Sequence, residues 1–275
     1  MAVLHVYSDA QGSMPRPAVR TIGALEVFDA LRLGWIDFRE KPSHYVFLCL
    51  LYPVAGVVLM VWSAGANMLP VMFPLASGFA LLGPVAALGL YEISRRRELG
   101  LDPSWREALE VRKSPALFSI FAAAAMLFVL FIAWLNVAQA IYEWHFGPEV
   151  PASLSVFLSN VLTTSAGWSM MFWGDLAGLG FAVLALAISV VTFPLLLERD
   201  VGAAAAIATS VRATLRNPVP VLLWGLIVAA LLVVGSIPLF AGLAVVLPVL
   251  GHATWHLYRK LVEPPALAEM SIRAR

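Results

Sequence analysis

The sequence predicts an all-α polytopic membrane protein with six transmembrane helices and amphipathic interfacial helices on the cytoplasmic side. Three observations carry that prediction. The 275 residues are 61% hydrophobic and only 13% charged, with a mean hydropathy of +0.85, whereas a soluble domain is about half apolar and about a quarter charged. The apolar residues gather in blocks long enough to cross a bilayer, and the basic residues fall only between alternate blocks. The first observation excludes a water-soluble globular protein; the other two turn composition into architecture.

A span needs about 20 mainly apolar residues, and six segments qualify: 45–62, 69–90, 115–142, 176–197, 220–234 and 239–258. None carries Asp, Glu, Lys or Arg in its core. Spans one and two are joined through Gly65 and Asn67, and spans five and six across Gly235, Ser236, Ile237 and Pro238. Connections that short make each pair adjacent and antiparallel. Pro74, Pro84, Pro194 and Pro248 are expected to bend their spans. Gly174, Gly178 and Ala182, four apart, are expected to let a neighbouring helix approach closely.

Other segments are helical but too short or too polar to span. Residues 21–38 place Ile22, Leu25, Phe28, Leu31, Trp35 and Phe38 at spacings of three and four, with Glu26, Asp29 and Arg32 off that stripe. This is the pattern of a helix lying flat on the cytoplasmic leaflet. Residues 103–111 and 201–215 read as arginine-bordered linker helices. Residues 151–165 put Leu154, Phe157, Leu158, Val161 and Leu162 on one side, which predicts a short outer helix, interfacial or re-entrant. An echo also runs through the chain: Glu92, a basic linker and Lys113-Ser114-Pro115 are matched by Glu198, a basic linker and Arg216-Asn217-Pro218. Both a duplicated unit and the ordinary look of a loop entering a helix account for it.

Orientation follows from Lys and Arg, which are retained on cytoplasmic flanks and avoided in translocated loops. Arg16, Arg20, Arg32, Arg39 and Lys41 precede span one, and Arg95, Arg96, Arg97, Arg106, Arg112 and Lys113 lie between spans two and three. Arg199, Arg212 and Arg216 separate spans four and five; Arg259, Lys260, Arg273 and Arg275 follow span six. These are all 18 basic residues, so both termini are expected in the cytoplasm, with an even span count. The opposite side holds only Glu143, Glu149 and Asp175. The domain reading is a cytoplasmic segment 1–40, a six-span membrane domain 41–262 and a cytoplasmic tail 263–275. The first 40 residues lack a basic stretch followed by an apolar core, so no cleaved signal peptide is expected.

Chemistry has few places to reside. Cys49 is the only cysteine and lies in an apolar block, where it reads as a small hydrophobe. A net charge of +1 without a basic patch outside the membrane flanks argues against nucleic acid as a partner. His252 and His256, four apart, share a helix face and are the candidate metal ligands; two imidazoles are half a zinc site, and hydrogen bonding beside Arg259 and Lys260 is the favoured reading. Asn136, Gln139 and Asp175 are the candidate intramembrane polar cluster, able to line a substrate path or, as favoured, to join helices by hydrogen bonds. No phosphate-binding glycine loop, nucleophile elbow or cysteine pair occurs, so no catalytic residue is nominated, no enzyme is expected and no cofactor is implied.

Three stretches carry a family resemblance: Gly34-Trp35-Ile36-Asp37-Phe38; residues 193–200, Phe-Pro-Leu-Leu-Leu-Glu-Arg-Asp; and residues 251–259, Gly-His-Ala-Thr-Trp-His-Leu-Tyr-Arg. They resemble the bacterial integral membrane proteins of domain-of-unknown-function family 2189, over most of residues 25–262. The resemblance implies a six-span inner-membrane protein without an assigned activity. Some relatives carry the label cytochrome c oxidase subunit I. A haem-copper core needs six histidine ligands on several helices, and this chain has five histidines, so the catalytic subunit is rejected on ligand count.

The functional expectation is a non-catalytic accessory, assembly or scaffold component of an inner-membrane complex, a respiratory one being suggested by that label, with a small-molecule or lipid transporter as the alternative. The implied partners are the lipid bilayer and either another inner-membrane complex or further copies of the chain. A fluorescent protein fused after Arg275 is expected to fluoresce, and alkaline phosphatase fused after Val150 to be active; the reverse pattern refutes the orientation.

Overall fold

The computed structural model describes residues 17–40, 69–104, 109–238 and 240–264. The first expected span, its turn at Gly65 and Asn67, and most of the tail lie outside the described residues. Within them the chain is helical, and the isolated antiparallel bridge Val19–Val262 is the only β pairing among the described residues. The helices are α1 (Ala24–Glu40), α2 (Met72–Phe79), α3 (Gly83–Ala86), α4 (Leu88–Glu98), α5 (Leu117–Phe146), α6 (Leu154–Thr163), α7 (Ser165–Ser189), α8 (Thr192–Glu198), α9 (Ala203–Arg216), α10 (Pro218–Ser236) and α11 (Leu243–Leu261).

Four stretches are long and apolar enough to cross a membrane: Leu69–Glu98, Leu117–Phe146, Ser165–Glu198 and Pro218–Ser236. They correspond to the second to fifth expected spans. The sixth, α11, is not among them, because its second half carries His252, His256, Arg259 and Lys260. Proline explains the segmentation of the first stretch: Pro74 and Pro84 remove backbone donors, and short 3₁₀ turns at Leu69–Val71 and Ala80–Leu82 interrupt the α-helix. The helix containing the expected fourth span starts eleven residues earlier than 176, because Thr164 accepts a hydrogen bond from the Gly167 backbone N–H at 3.0 Å and so caps it. Asp175 therefore lies inside α7 instead of opening it. The short helix expected at 151–165 is α6, capped by Ser153. Of the linker helix expected at 103–111, residues 105–108 lie outside the described residues, and its end overlaps a 3₁₀ turn, Leu109–Lys113.

The stretch Ser165–Glu198 has 34 residues and is about 51 Å long, well beyond the roughly 30 Å of hydrocarbon. Its basic-end portion is where the core sits: Ser189 to Leu197 are all buried. Around α8 pack α4, α9 and the second half of α11, and Phe193, Leu195, Leu196, Trp255, Leu257 and Tyr258 share one apolar cluster. The bundle is thus widest in contacts at its basic end and thin-walled elsewhere, where α5, α7 and α10 present large apolar side chains outward.

The hairpin of α10 and α11 closes as the sequence requires. A Cβ on Gly242 would stand 2.8 Å from Gly235 Cα, so the turn exists because both positions lack one. The helix expected to lie flat on the leaflet packs one face on the bundle. α1 runs antiparallel along the second half of α11, with Asp29 near Lys260, Gly34 against Ala253 and Asp37 against His256. It presents Val27, Ala30, Gly34, Asp37 and Phe38 to the bundle, while Leu25, Phe28 and Trp35 of the predicted stripe are exposed. Small side chains win the contact because they allow close backbone approach. The segment before α1 is tied down too: Arg20 N–H donates to Leu261 O at 2.8 Å, and buried Asn217 accepts from Ile22 N–H and donates to Arg20 O.

A Cβ at residue 34 would stand 2.5 Å from the Ala253 backbone nitrogen. Gly34→Ala is expected to destabilise the protein by about 1–3 kcal/mol through overpacking, seen as a lower thermal midpoint in detergent. Gly180→Ala, whose added Cβ would meet nothing within 4 Å, should leave the midpoint unchanged or raise it.

Candidate functional site

The polar groups of the chain meet at the basic end, where α1, α4, α8 and α11 converge. On α4, Glu92 is buried with Arg95 and Arg96. Arg95 Nε and Nη2 donate to its two carboxylate oxygens at 2.8 and 2.9 Å, and Arg96 Nε donates at 2.9 Å. The spacing of three and four residues makes this possible on one helix face. Farther along, Arg259 of α11 bridges two acids, donating to Glu98 at 2.9 Å and to Glu198 at 2.7 Å. Glu98 also accepts from Trp255 Nε1 at 3.0 Å, and Glu198 accepts from Arg199 Nε at 3.0 Å and from the Tyr258 hydroxyl. Three helices are thereby bonded through two carboxylates.

A second group surrounds Asp37. Its Oδ2 accepts from Ser94 Oγ at 2.6 Å and from His256 Nε2 at 2.9 Å. Arg97 donates to the Asp37 backbone carbonyl at 2.7 Å and lies 3.4 Å from Oδ1; it also pairs with Glu40. His252, fully buried, places Nδ1 2.8 Å from Ser94 Oγ and 4.0 Å from Asp37 Oδ2. An ionised carboxylate only accepts, so the single hydroxyl proton of Ser94 goes to Asp37 and Nδ1 of His252 carries the proton of its own bond. This tautomer is assigned from the bonding pattern. Burial alone pushes the Asp37 carboxyl up, but the hydrogen bonds from His256 and Ser94 and the nearby imidazoles outweigh it, and the group sits below its ordinary 3.8. Asp29 is held low by the hydrogen bond from Lys260, with Arg32 assisting.

The two candidate metal ligands are thus brought together, with Asp37 between them and hydrogen bonds at His252 Nδ1 and His256 Nε2. Among the described residues no three His, Cys, Asp or Glu side chains are arranged to hold a metal ion. The candidate polar cluster is not one cluster. Asn136 donates to Ile132 O of its own helix at 2.7 Å, and Gln139 donates to Glu143 at 2.8 Å; both line a cavity of about 300 Å³ beside Pro70 and Tyr142. Asp175 lines a separate cavity of about 220 Å³ with Phe73, Trp134 and Phe181. The partners Asp37, Ser94, Arg97, Glu98 and Glu198 were not among the sequence-derived candidates. The signal for two of them was present: Asp37 and Glu198 lie in the stretches that carry the family resemblance, and the structure brings those three stretches into contact.

Several helices long and apolar enough to cross a membrane, closed at one end by buried ion pairs, define a polytopic integral membrane protein that sits in a lipid bilayer. Residues 72–198 match the family model described as predicted integral membrane protein (DUF2189), the family that the motifs resemble. That range runs from α2 to the end of α8 and is narrower than the 25–262 expected, leaving α1 and α9 to α11 outside it. Neither the curated proteins nor the solved structures give a match to the chain.

Removing one partner of a buried charge pair typically costs about 3–5 kcal/mol, so Asp37→Ala is expected to lower stability by roughly that amount at neutral pH. Because the carboxyl titrates lower in the folded chain than unfolded, its contribution is complete above about pH 4 and fades as pH falls through the folded value. Thermal unfolding of wild type and variant in detergent should therefore differ most near pH 7 and converge in stronger acid.

Proposed function

We propose that the protein is a non-catalytic structural component of a bacterial inner-membrane complex, an accessory, assembly or scaffold subunit, with both termini in the cytoplasm. In this reading residues 45–62 and α11 complete six spans, and the basic end is a cytoplasmic cap. The observation that carries the proposal is the bonding of the polar groups at the basic end: buried Glu92 is paired with Arg95 and Arg96 within α4, while exposed Glu98, half-buried Glu198 and buried Asp37 bond to partners on other helices among α1, α4, α8 and α11. Groups held in this way stiffen a platform. The outward apolar faces of α5, α7 and α10 are the surfaces through which lipid or a partner subunit would be met.

A small-molecule or lipid transporter is the competing reading, and the two cavities beside α2 favour it. Affinity purification in mild detergent followed by native mass spectrometry separates the two. A reproducible stoichiometric partner is expected; a monodisperse monomer or homodimer that supports substrate flux in liposomes would sink the scaffold proposal.

A further inference from the structure

The acid Asp175 and the cavity it lines have no part in the scaffold reading. The cavity lies between α2, α5 and α7 and holds about 220 Å³, lined by Phe73, Ser77, Trp134, Asp175 and Phe181. One ring of its aromatic wall is fixed, while Phe73 and Asp175 at its rim are exposed. Trp134 is buried, its Nε1 donates to Pro74 O at 2.9 Å, and Phe181 stands 5.6 Å away, tilted by 52°. The Gly174-Gly178 stripe does not bring a helix backbone close. A Cβ on Gly178 would meet the Trp134 ring at 3.1 Å, and one on Gly174 would meet nothing within 4 Å. These glycines leave room for the ring and for the space beside it.

Asp175 forms no hydrogen bond or ion pair with a described residue. The sequence has no Lys or Arg between Lys41 and Arg95 or between Lys113 and Arg199, so none lies on α2, α5, α6 or α7. Its depth follows from register. Leu186 abuts Gly225; Asp175 is eleven residues from Leu186, and Ser236, the last residue of α10, is eleven from Gly225. On antiparallel helices both lie about 16 Å farther on, so the carboxylate is level with the end of α10. Exposed Trp144, Trp168 and Trp173 near that end fit an interfacial belt.

We propose that this cavity binds an alkylammonium group, with Asp175 as counter-ion and the rings of Trp134, Phe73 and Phe181 against the cation. Aromatic faces attract organic cations. A hard metal ion needs six or more oxygen ligands, whereas among the described residues the side-chain oxygens lining the cavity are those of Asp175 and Ser77. The ammonium can come from a soluble amine or from a phospholipid headgroup. The proposal is independent of the scaffold reading.

The test uses the purified full chain. Tetramethylammonium and ethanolamine, against sodium at equal ionic strength, are expected to raise the thermal midpoint in detergent saturably. Native mass spectrometry after extraction from mixed phosphatidylethanolamine and phosphatidylglycerol bilayers reads the lipid arm. Response to the free amines identifies a soluble ligand. Selective retention of phosphatidylethanolamine without such a response identifies a headgroup. In either case the signal should fall at least tenfold in Asp175→Asn and in Gly174→Leu, which fills the open space, and persist in Glu149→Gln. Size exclusion checks that the variants fold. No ammonium-dependent signal in either arm, or one equal in wild type and Asp175→Asn, overturns the proposal.

Discussion

A charge removed from water must find its opposite and have its remaining hydrogen-bonding capacity filled, or it is not tolerated. Buried Glu92 answers that demand through Arg95 and Arg96, and half-buried Arg259 joins α11 to two other helices by bonding half-buried Glu198 and the exposed Glu98. Tyr258 and Trp255 add donors to the same two carboxylates, and their rings, 5.4 Å apart, belong to the core. The packing of α11 against α4 and α8 is therefore apolar and electrostatic through the same residues.

The Asp37 group extends this to α1. Gly34 brings the two backbones close, and that closeness lets a side chain as short as aspartate reach His256 and Ser94. A larger residue at 34 would separate the helices and leave the carboxylate short of its donors. Close packing and polar satisfaction are thus one constraint in this part of the molecule. Opposite it, the wall made by α2, α5 and α7 is looser. There Gly178 faces an indole ring, and Asp175 lies on a helix that carries no Lys or Arg.

Periodicity and hydropathy made the helices legible: α5, α6, α9 and α10 fall within a few residues of the expected bounds, and the hairpin at Gly235 was readable from its length. The start of α7 was missed because an acid looks like the end of an apolar block, while the capping threonine eleven residues earlier is a local signal. The imidazoles of α11 could be singled out by their spacing, but their partners could not. Asp37, Ser94 and His252 are separated by 57 and 158 residues, and no local pattern encodes such distances.

By itself the sequence determined the membrane class, the positions of most spans and the confinement of basic residues to alternate loops, because hydrophobic transfer and charge retention act on segments independently of their neighbours. Only the tertiary structure decided which face of α1 is buried, that three distant stretches meet at one polar cluster, and that Asn136 and Gln139 are separate from Asp175. Those outcomes depend on which backbones approach closely enough for short side chains to touch, and that is a property of packed helices in pairs.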